Sequence, residues 1–165
     1  MEGVVHVERA GPTTAEDFEM AVGTHYAGLV RRLTAVVRDA AEAEDLAQEA
    51  YLRAFRSWHR FNGSDTRAWL YTIGLRLAFN ERRRRRRWPV LPSRAVPGDR
   101  LRARDADLHE ALRALRPEHR AALVLNVVDG YTRSEIASML DVPPGTVGSW
   151  LDRAKTHLRE ALRDA

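Results

Sequence analysis

The sequence contains no cysteine, which excludes disulfide frameworks, cysteine nucleophiles and cysteine-based zinc sites. It has no apolar run near the roughly 18 residues that cross a bilayer, and its first residues lack the charged-then-apolar pattern of an export signal. No strand-like alternation of useful length is present, and no repeat relates the two halves of the chain. We therefore expect an all-α, cytoplasmic protein without membrane insertion.

Residue patterns typical of catalysis are also missing. The six histidines are scattered, and no two have the helical spacing of metal ligands. There is no glycine-rich phosphate loop and no nucleophile elbow. The acidic cluster at residues 42–45 is explained by the favourable interaction of carboxylates with a helix N-terminus. The sequence predicts a protein that is not an enzyme and that has no cofactor or metal.

Lysine is nearly absent, since Lys155 is the single lysine among 27 basic residues. Twelve arginines and two acids give residues 67–104 a net charge of +10, and because the whole chain has +4, the remainder has −6. A basic segment between two acidic parts of the chain favours one localised contact with a polyanion. At 44% hydrophobic residues, the chain can still bury a core.

The first half of the chain has helical periodicity. Thr13 and Glu16 have the spacing of a capping box, and apolar residues then recur every three or four positions as far as Val37, with Gly23 as an internal weak point. Asp39 and Glu42 repeat the signal. The buried stripe predicted for the next helix is Ala47, Ala50, Tyr51, Ala54, Phe55 and Trp58.

Turn chemistry predicts a loop at residues 61–65, and a third helix then runs from about Thr66 into the arginine run. Its predicted buried residues are Trp69, Ile73 and Leu77. Trp88-Pro89 should end it, because proline disfavours the helical conformation of the preceding residue.

A second helical unit follows a linker rich in proline and arginine. Pro117 suits the first turn of a helix that stops at Asp129-Gly130, and Thr132 with Glu135 forms another capping box. The predicted inward residues are Leu108, Ala111, Leu112, Leu115, Leu123, Val124, Val127, Val128, Ile136, Ala137, Leu140, Val147, Leu151, Ala154, Leu158 and Leu162. We predict two small helical domains, at residues 16–88 and 106–163, with a tail at 1–15 and the linker at 89–105.

The stretch from Thr132 to Lys155 has the form of a helix-turn-helix, whose second helix would lie in a DNA major groove. The candidate base contacts are Thr146, Ser149, Trp150 and Arg153, and the candidate phosphate contacts are Arg133 and Lys155. The alternative is a helical hairpin that only packs.

The arginine run at residues 82–87 extends a helix with further polar residues on its exposed side. Thr72, Arg76, Asn80, Arg83 and Arg87 follow one another at three- or four-residue steps, a line that can track a phosphate backbone. Phe61 in the preceding loop can stack on unpaired bases, beside Asn62, Ser64 and Asp65. The alternatives are a solvated basic face, a membrane-surface segment or a localisation signal.

The second predicted helix has an exposed line of its own, made of Asp45, Gln48, Glu49, Leu52, Arg53 and Arg56. Leu52 lies there among charged residues. Such a surface suits docking onto the helices of another protein, although a solvated helix face has the same composition.

Longer stretches are similar to a known family. Residues 43–55 (AEDLAQEAYLRAF), 61–63 (FNG), 69–73 (WLYTI) and the arginine run resemble region 2 of bacterial extracytoplasmic-function (ECF, group 4) RNA polymerase sigma factors. Residues 112–117 (LRALRP), 129–131 (DGY), 135–137 (EIA) and 144–147 (PGTV) look like their region 4. The resemblance covers about residues 16–163.

The resemblance implies a sigma factor that binds core RNA polymerase and directs promoter-specific initiation. Region 2 would dock on the clamp helices of the largest polymerase subunit through the line from Asp45 to Arg56, and region 4 would contact the flap of the other large subunit. The linker would thread toward the active-site channel. An anti-sigma factor is a further implied partner.

The resemblance also implies two promoter contacts. The −10 element would be recognised and melted by Phe61, Asn62, Ser64, Asp65, Arg67, Thr72, Arg76, Asn80, Arg83, Arg84 and Arg87. The −35 element would be read as duplex by Arg133, Thr146, Ser149, Trp150, Arg153 and Lys155.

Some residues depart from the family pattern. Gly148 and Trp150 stand where basic residues are common, Asp152 adds a negative charge, Asp141 replaces a turn glycine, and Arg76 replaces an asparagine. We therefore expect an unusual promoter sequence or weaker dependence on the −35 element. The competing hypotheses are a helix-turn-helix regulator that acts without polymerase and a nonspecific basic scaffold.

Overall fold

The computed structural model describes residues 14–87 and 103–163. Over these residues the chain forms α-helices, two short 3₁₀ helices and no strand, which confirms the all-α prediction. The first lobe contains α1 (Ala15–Val22), α2 (Tyr26–Val37), α3 (Ala40–Ser57) and α4 (Thr66–Arg87), with 3₁₀ turns at Gly23–His25 and Trp58–Arg60. The second lobe contains α5 (Ala103–Ala114), α6 (Pro117–Val127), α7 (Arg133–Leu140) and α8 (Pro144–Ala161).

Three sequence predictions lie outside the described residues: the tail as far as residue 13, the Trp88-Pro89 stop, and the linker as far as residue 102. The predicted domain bounds remain predictions. Helix α1 nevertheless begins at Ala15, inside the predicted tail, and α5 begins at Ala103, inside the predicted linker.

The start of the first helix differs from the prediction by one residue. The capping box joins Thr14 and Asp17, whose amide and carboxylate exchange hydrogen bonds of 3.1 and 3.2 Å with the threonine, so the assignment to Thr13 and Glu16 was wrong. The two pairs have the same spacing, and spacing alone could not separate them. The single helix predicted as far as Val37 is also divided, because a 3₁₀ turn begins at the weak helix former Gly23.

The other predicted caps are confirmed. Asp39 accepts a hydrogen bond from the amide of Glu42 at 2.9 Å, and Thr132 with Glu135 forms a complete capping box on α7. Pro117 is the first residue of α6. Asp141 ends α7 in the left-handed conformation, with φ of 56°, which aspartate tolerates better than most residues.

Small residues on α3 build the core of the first lobe. Ala43, Ala47, Ala50 and Ala54 are fully buried, so α3 can approach α2 and α4 closely, around the large side chains of Leu29 and Leu70. Phe55 was predicted to be buried, but it is exposed: its ring makes a T-shaped contact with Phe18 at the border of the core, and the rest of the side chain faces solvent.

Helix α4 buries a wider face than predicted. Trp69, Ile73 and Leu77 are only partly buried, and the fully buried residues are instead Leu70, Tyr71, Leu75 and Ala78. The reason is that α4 packs against α2 and α3 in its own lobe and against α7 of the second lobe.

The second lobe packs α7 and α6 against α8. Ile136, Val147 and Leu151 are fully buried at this junction, as predicted. Four residues predicted to point inward are exposed: Leu108, Val127, Val128 and Leu162. The last three lie at the C-terminal ends of α6 and α8, where the helices stop, whereas Leu108 lies midway along α5, on a side that is not covered by α8. The two lobes touch along α2 with α6 and α4 with α7.

Candidate nucleic-acid and polymerase interfaces

The solvent side of α3 carries all six residues of the predicted docking line. Five of them are exposed and Glu49 is partly exposed, with its carboxylate 2.6 Å from the Arg53 guanidinium. Leu52 is 48% exposed, and Phe55, which the sequence analysis placed in the core, is 48% exposed beside it. This docking face therefore has two apolar side chains at its centre, framed by charged residues.

Aromatic rings stack where the loop at residues 61–65 begins. The Phe61 ring lies parallel to the Trp58 ring, with 5.4 Å between centroids and 9° between planes, and 4.7 Å from the Trp69 ring. Trp58 is buried, yet its indole N–H has no hydrogen-bond acceptor among the described residues. Buried donors normally have a partner, so the Trp58 N–H is an unsatisfied donor in the core of the first lobe.

The polar residues of this loop have different environments. Asn62 and Ser64 are exposed. The Asp65 carboxylate accepts a hydrogen bond of 2.8 Å from the amide of Ala68, so it stabilises the start of α4. That bond uses one of its two oxygens.

The outer line of α4 is mostly available to solvent. Arg76, Asn80 and Arg83 are exposed, whereas Thr72 is partly buried and its hydroxyl donates to the carbonyl of Ala68. Arg87 is the last residue of the helix.

Glu81 neutralises part of the arginine run. Arg84 and Arg85 lie 2.9 and 3.1 Å from its carboxylate, and these hydrogen bonds, that of Arg84 first, lower the pKa of Glu81. Arg85 also pairs with Glu42 on α3. Arg84 and Arg85 are thus paired with acids of the first lobe, whereas the neighbouring Arg83 is exposed to solvent.

Two of the predicted −10 residues contact the second lobe. The Arg76 guanidinium donates to the carbonyls of Ser138 and Met139 at the end of α7, both at 3.0 Å. Arg67 donates to the Tyr131 hydroxyl at 3.0 Å and lies 5.1 Å from the centre of the same ring. Sequence reasoning could not find these contacts, because they depend on how the lobes dock.

An ion pair joins the lobes further along the interface. Arg32 on α2 binds Asp129 with both ends of its guanidinium, at 2.9 and 2.6 Å, and the Asp129 side chain is only 3% exposed. These hydrogen bonds raise the pKa of Arg32, which remains charged in any case. Asp129 had been recognised only as part of a turn.

Helix α8 presents its predicted reading face unevenly. Ser149, Arg153 and Lys155 are exposed, and Thr146 is partly exposed in the first turn. The Ser149 hydroxyl donates to the carbonyl of Gly145 at 3.1 Å, an internal bond that DNA would have to share. The helix supplies two exposed cations at its middle.

The structure changes the interpretation of two predicted −35 residues. Trp150, predicted to be exposed, is partly buried and packs on the core with its ring 6.3 Å from that of His119. Arg133 is exposed, but its guanidinium lies 3.9 Å from the carboxylate of Asp152. Asp152 is the negative charge that the sequence analysis identified as unfavourable to DNA binding. Gly148 is buried, and an added Cβ would only touch Arg133 at 3.6 Å.

The described part of the chain lacks two further kinds of feature. None of its helices is long and apolar enough to span a bilayer. None of its histidines and acids cluster in groups of three or more that could hold a metal ion.

Family comparisons match both lobes. The model of sigma-70 region 2 matches residues 21–88, and the model of sigma-70 region 4 matches residues 105–158. The two matches therefore cover the helices that carry the docking face, the aromatic loop, the arginine run and the helix-turn-helix.

Curated relatives are similar over most of the chain. The RNA polymerase sigma factor CarQ of Myxococcus xanthus is 32% identical over 94% of this chain and 95% of its own length. The ECF RNA polymerase sigma factor SigL of Mycobacterium tuberculosis is 35% identical, over 85% of each chain. The ECF sigma factor SigE of Mycolicibacterium smegmatis is 37% identical, but the match spans only 52% of its length.

Solved structures have the same fold. The sigma factor RpoE of Bartonella quintana, crystallised with the anti-sigma factor NepR, superposes with a TM-score of 0.76 at 25% identity, covering 90% of this chain and 98% of that one. CnrH, in complex with the cytosolic domain of CnrY, gives a TM-score of 0.67 over 94% of each chain, and at 23% identity it supports the fold alone. Together with the two region matches, these similarities show that the chain belongs to the ECF RNA polymerase sigma factors.

Proposed function

We propose that the lobes of this sigma factor bind two different states of one promoter. The first lobe would hold the opened −10 element, and the second would read the −35 element as intact duplex. The family gives the general function, namely promoter-specific initiation by core RNA polymerase. The assignment to particular side chains rests on the geometry of the two lobes.

The aromatic stack supports the −10 role. Phe61 offers a ring face that Trp58 and Trp69 hold in place, and an unpaired base can stack on such a face. Asn62 and Ser64 are exposed beside it for polar contacts. Base stacking contributes about 1–3 kcal/mol for each base, which offsets an unpairing cost of a few kcal/mol.

The outer line of α4 supports the same role through charge. Arg76, Asn80 and Arg83 follow one side of the helix for about 10 Å at a rise of about 1.5 Å per residue, and the sequence spacing predicts that Arg87 extends this line, a length suited to several phosphates. Arg84 is bound to Glu81 and would contribute less.

The first turns of α8 would read the bases of the −35 element. Thr146 and Ser149 would reach base edges, with Arg153, while Arg133 and Lys155 would bind phosphates. Trp150 packs on the core of the second lobe and is less available to contact bases, and the guanidinium of Arg133 is paired with Asp152. We therefore infer that the −10 contact supplies most of the promoter affinity.

The face of α3 is the proposed polymerase contact. Leu52 and Phe55 form an apolar centre with a charged rim, which is the typical arrangement of a protein–protein interface. Its partner would be the clamp helices of the largest subunit, with the flap of the other large subunit on the second lobe. An anti-sigma factor is proposed as a further partner, and the site of action would be the cytoplasm.

DNA binding and lobe docking use the same side chains. Arg76 cannot donate both bonds to Ser138 and Met139 while it holds the −10 strand, and Arg67 is engaged by Tyr131. The promoter-bound form therefore requires the two lobes to separate at α4 and α7.

The single observation that carries this function is the exposed Leu52–Phe55 centre on the same lobe as the stacked rings and the arginine line. The test is runoff transcription with core polymerase and a library of promoters, together with a polymerase pull-down. We expect promoter-selective transcripts, and loss of pull-down in Leu52→Asp and Asp45→Arg but not in the control Glu16→Arg, an exposed acid on α1. DNA binding without polymerase binding would instead favour the helix-turn-helix regulator.

A further inference from the structure

A cavity lies where the two lobes meet, away from every face assigned above. Its volume is about 390 Å³, and its walls come from α2 and the start of α3 in the first lobe and from α5 and α6 in the second. Its apolar lining includes Ala35, Leu112 and Val124. This volume lies within the range of small-molecule pockets, about 300–1,000 Å³.

Four arginines also line this interlobe cavity: Arg31, Arg38, Arg113 and Arg120. Among the residues that the structure describes, no acidic side chain lines it. Arg113 has an ion pair, at 3.8 Å to an exposed carboxylate of Glu110, and Arg38 donates to the carbonyl of Arg113 at 3.3 Å. An apolar cavity surrounded by cations is complementary to a molecule with an anionic head and an apolar body.

Arg120 is the least satisfied of the four. Its side chain is 4% exposed, and it donates to two backbone carbonyls, of Leu112 and Val36, each at 3.1 Å. Its Nε–H is buried and has no acceptor among the described residues. Burial, followed by the positive charges of Arg38 and Arg82, lowers the pKa of Arg120 to about 10. The charge of Glu118 offsets this only in part, and no carboxylate in the described part of the chain is hydrogen-bonded to Arg120. A guanidinium buried in this way is costly, and an incoming anion would lower that cost.

We propose that the interlobe cavity binds a small amphiphilic anion, with its carboxylate or phosphate head at the arginines and its apolar part against Ala35, Leu112 and Val124. An acidic helical peptide is the alternative occupant that the titration has to distinguish. Because both lobes form the walls, the bound anion would stabilise the docked arrangement. By linkage, it would then oppose the open, promoter-bound form.

The direct test is calorimetric titration of the full chain without polymerase or DNA, so its outcome is independent of the proposed promoter function. The probes are decanoate and decyl phosphate, which distinguish the two head groups, with decanol and decyltrimethylammonium as neutral and cationic controls. All are used below their micelle-forming concentrations. We expect one anion per chain, bound at least tenfold more tightly than either control.

Variants locate the site. Arg38→Ala should weaken decanoate binding about tenfold, and Ala35→Phe, which keeps every arginine but fills the cavity, should abolish it. Arg159→Ala, an exposed arginine on α8, is the matched control and should bind as the wild type does. Thermal melts of each variant exclude unfolding as the cause.

Three results would overturn the proposal: equal binding of all four probes, unchanged decanoate affinity in both cavity variants, or tighter binding of an acidic helical peptide at the same residues. A rise in melting temperature with decanoate that disappears in Ala35→Phe would support it, since the filled cavity cannot hold the ligand.

Discussion

The two DNA-facing surfaces of this sigma factor are built differently. The first lobe offers a three-ring aromatic stack and an arginine line along α4, and most of these groups are fixed by packing or sit on a long helix. Helix α8 offers short polar side chains, two exposed cations and an unfavourable Asp152. This difference is the basis of our proposal that the −10 end supplies most of the promoter affinity, with α8 adding orientation and spacing.

The largest expected effect is on salt dependence. Replacing residues 82–87, all arginine, by glutamine should lower the slope of log affinity against log salt by up to about 5, since each neutralised phosphate contributes about 0.9. Replacing Arg153 and Lys155 by glutamine should lower it by no more than about 2. Filter binding of promoter DNA by the holoenzyme across a salt series measures both slopes. Equal slopes for the two variants would contradict the proposal that the first lobe makes most of the phosphate contacts.

The aromatic stack should matter for single-stranded DNA alone. Phe61→Ala should weaken capture of a −10 single strand by about 1–3 kcal/mol, while Phe61→Tyr, which keeps the ring, should change it little. Fluorescence anisotropy with a labelled −10 strand and the holoenzyme gives the two affinities. If Phe61→Ala binds as the wild type does, the ring is structural only.

Lobe docking can be tested separately from DNA. Asp129→Ala leaves Arg32 without its carboxylate, so the lobes should separate and the radius of gyration measured by small-angle scattering should rise. A double-mutant cycle with Arg32→Ala should give a coupling of about 1–2 kcal/mol in the free energy of unfolding. The control Glu49→Ala breaks an exposed pair on α3 and should not open the lobes.

A smaller effect is expected at the half-buried indole of α8. Trp150→Arg should lower the free energy of unfolding by about 1–2 kcal/mol, since it removes apolar packing beside His119. The new cation would at the same time add one phosphate contact, which should tighten −35 binding modestly. Denaturant titration and a −35 duplex assay separate the two results. Unchanged stability would show that the ring packs weakly and remains available to DNA.

The smallest effect concerns pH. Burial, followed by the charge of Arg116, lowers the pKa of His119 below its usual value, so the folded second lobe favours the neutral ring. The unfolded chain then binds more protons, and stability should fall as the pH drops from about 7 through the usual histidine pKa of about 6.5. Melting temperatures at pH 7.5 and 5.5 measure the loss, which His119→Phe should reduce.

Local signals predicted local structure well. The caps at Asp39 and Thr132, the first-turn position of Pro117 and the left-handed Asp141 depend on residues within one turn of each other. The error at Thr13 arose because two overlapping pairs satisfied the same spacing, and only the fold selects one of them.

Long-range contacts could not be predicted in this way. Arg76 and Arg67 have suitable positions for DNA, and nothing in their neighbourhood indicates that Ser138 and Tyr131 come within hydrogen-bond distance of them. Trp150 and Phe55 were misplaced for a related reason, since the depth of a side chain on a helix depends on which neighbour covers that stretch. The candidate side chains were therefore found from sequence, but their competing partners were not.

The contact between Arg76 and the end of α7 imitates nucleic acid. The last carbonyls of a helix carry about half a negative charge, and here they occupy the guanidinium that is proposed for a phosphate. A full phosphate charge is a stronger acceptor than this imitation, so DNA mounted on the polymerase can displace it. If Arg76 binds the −10 strand as proposed, the docked second lobe would compete with DNA for this guanidinium until the strand is presented.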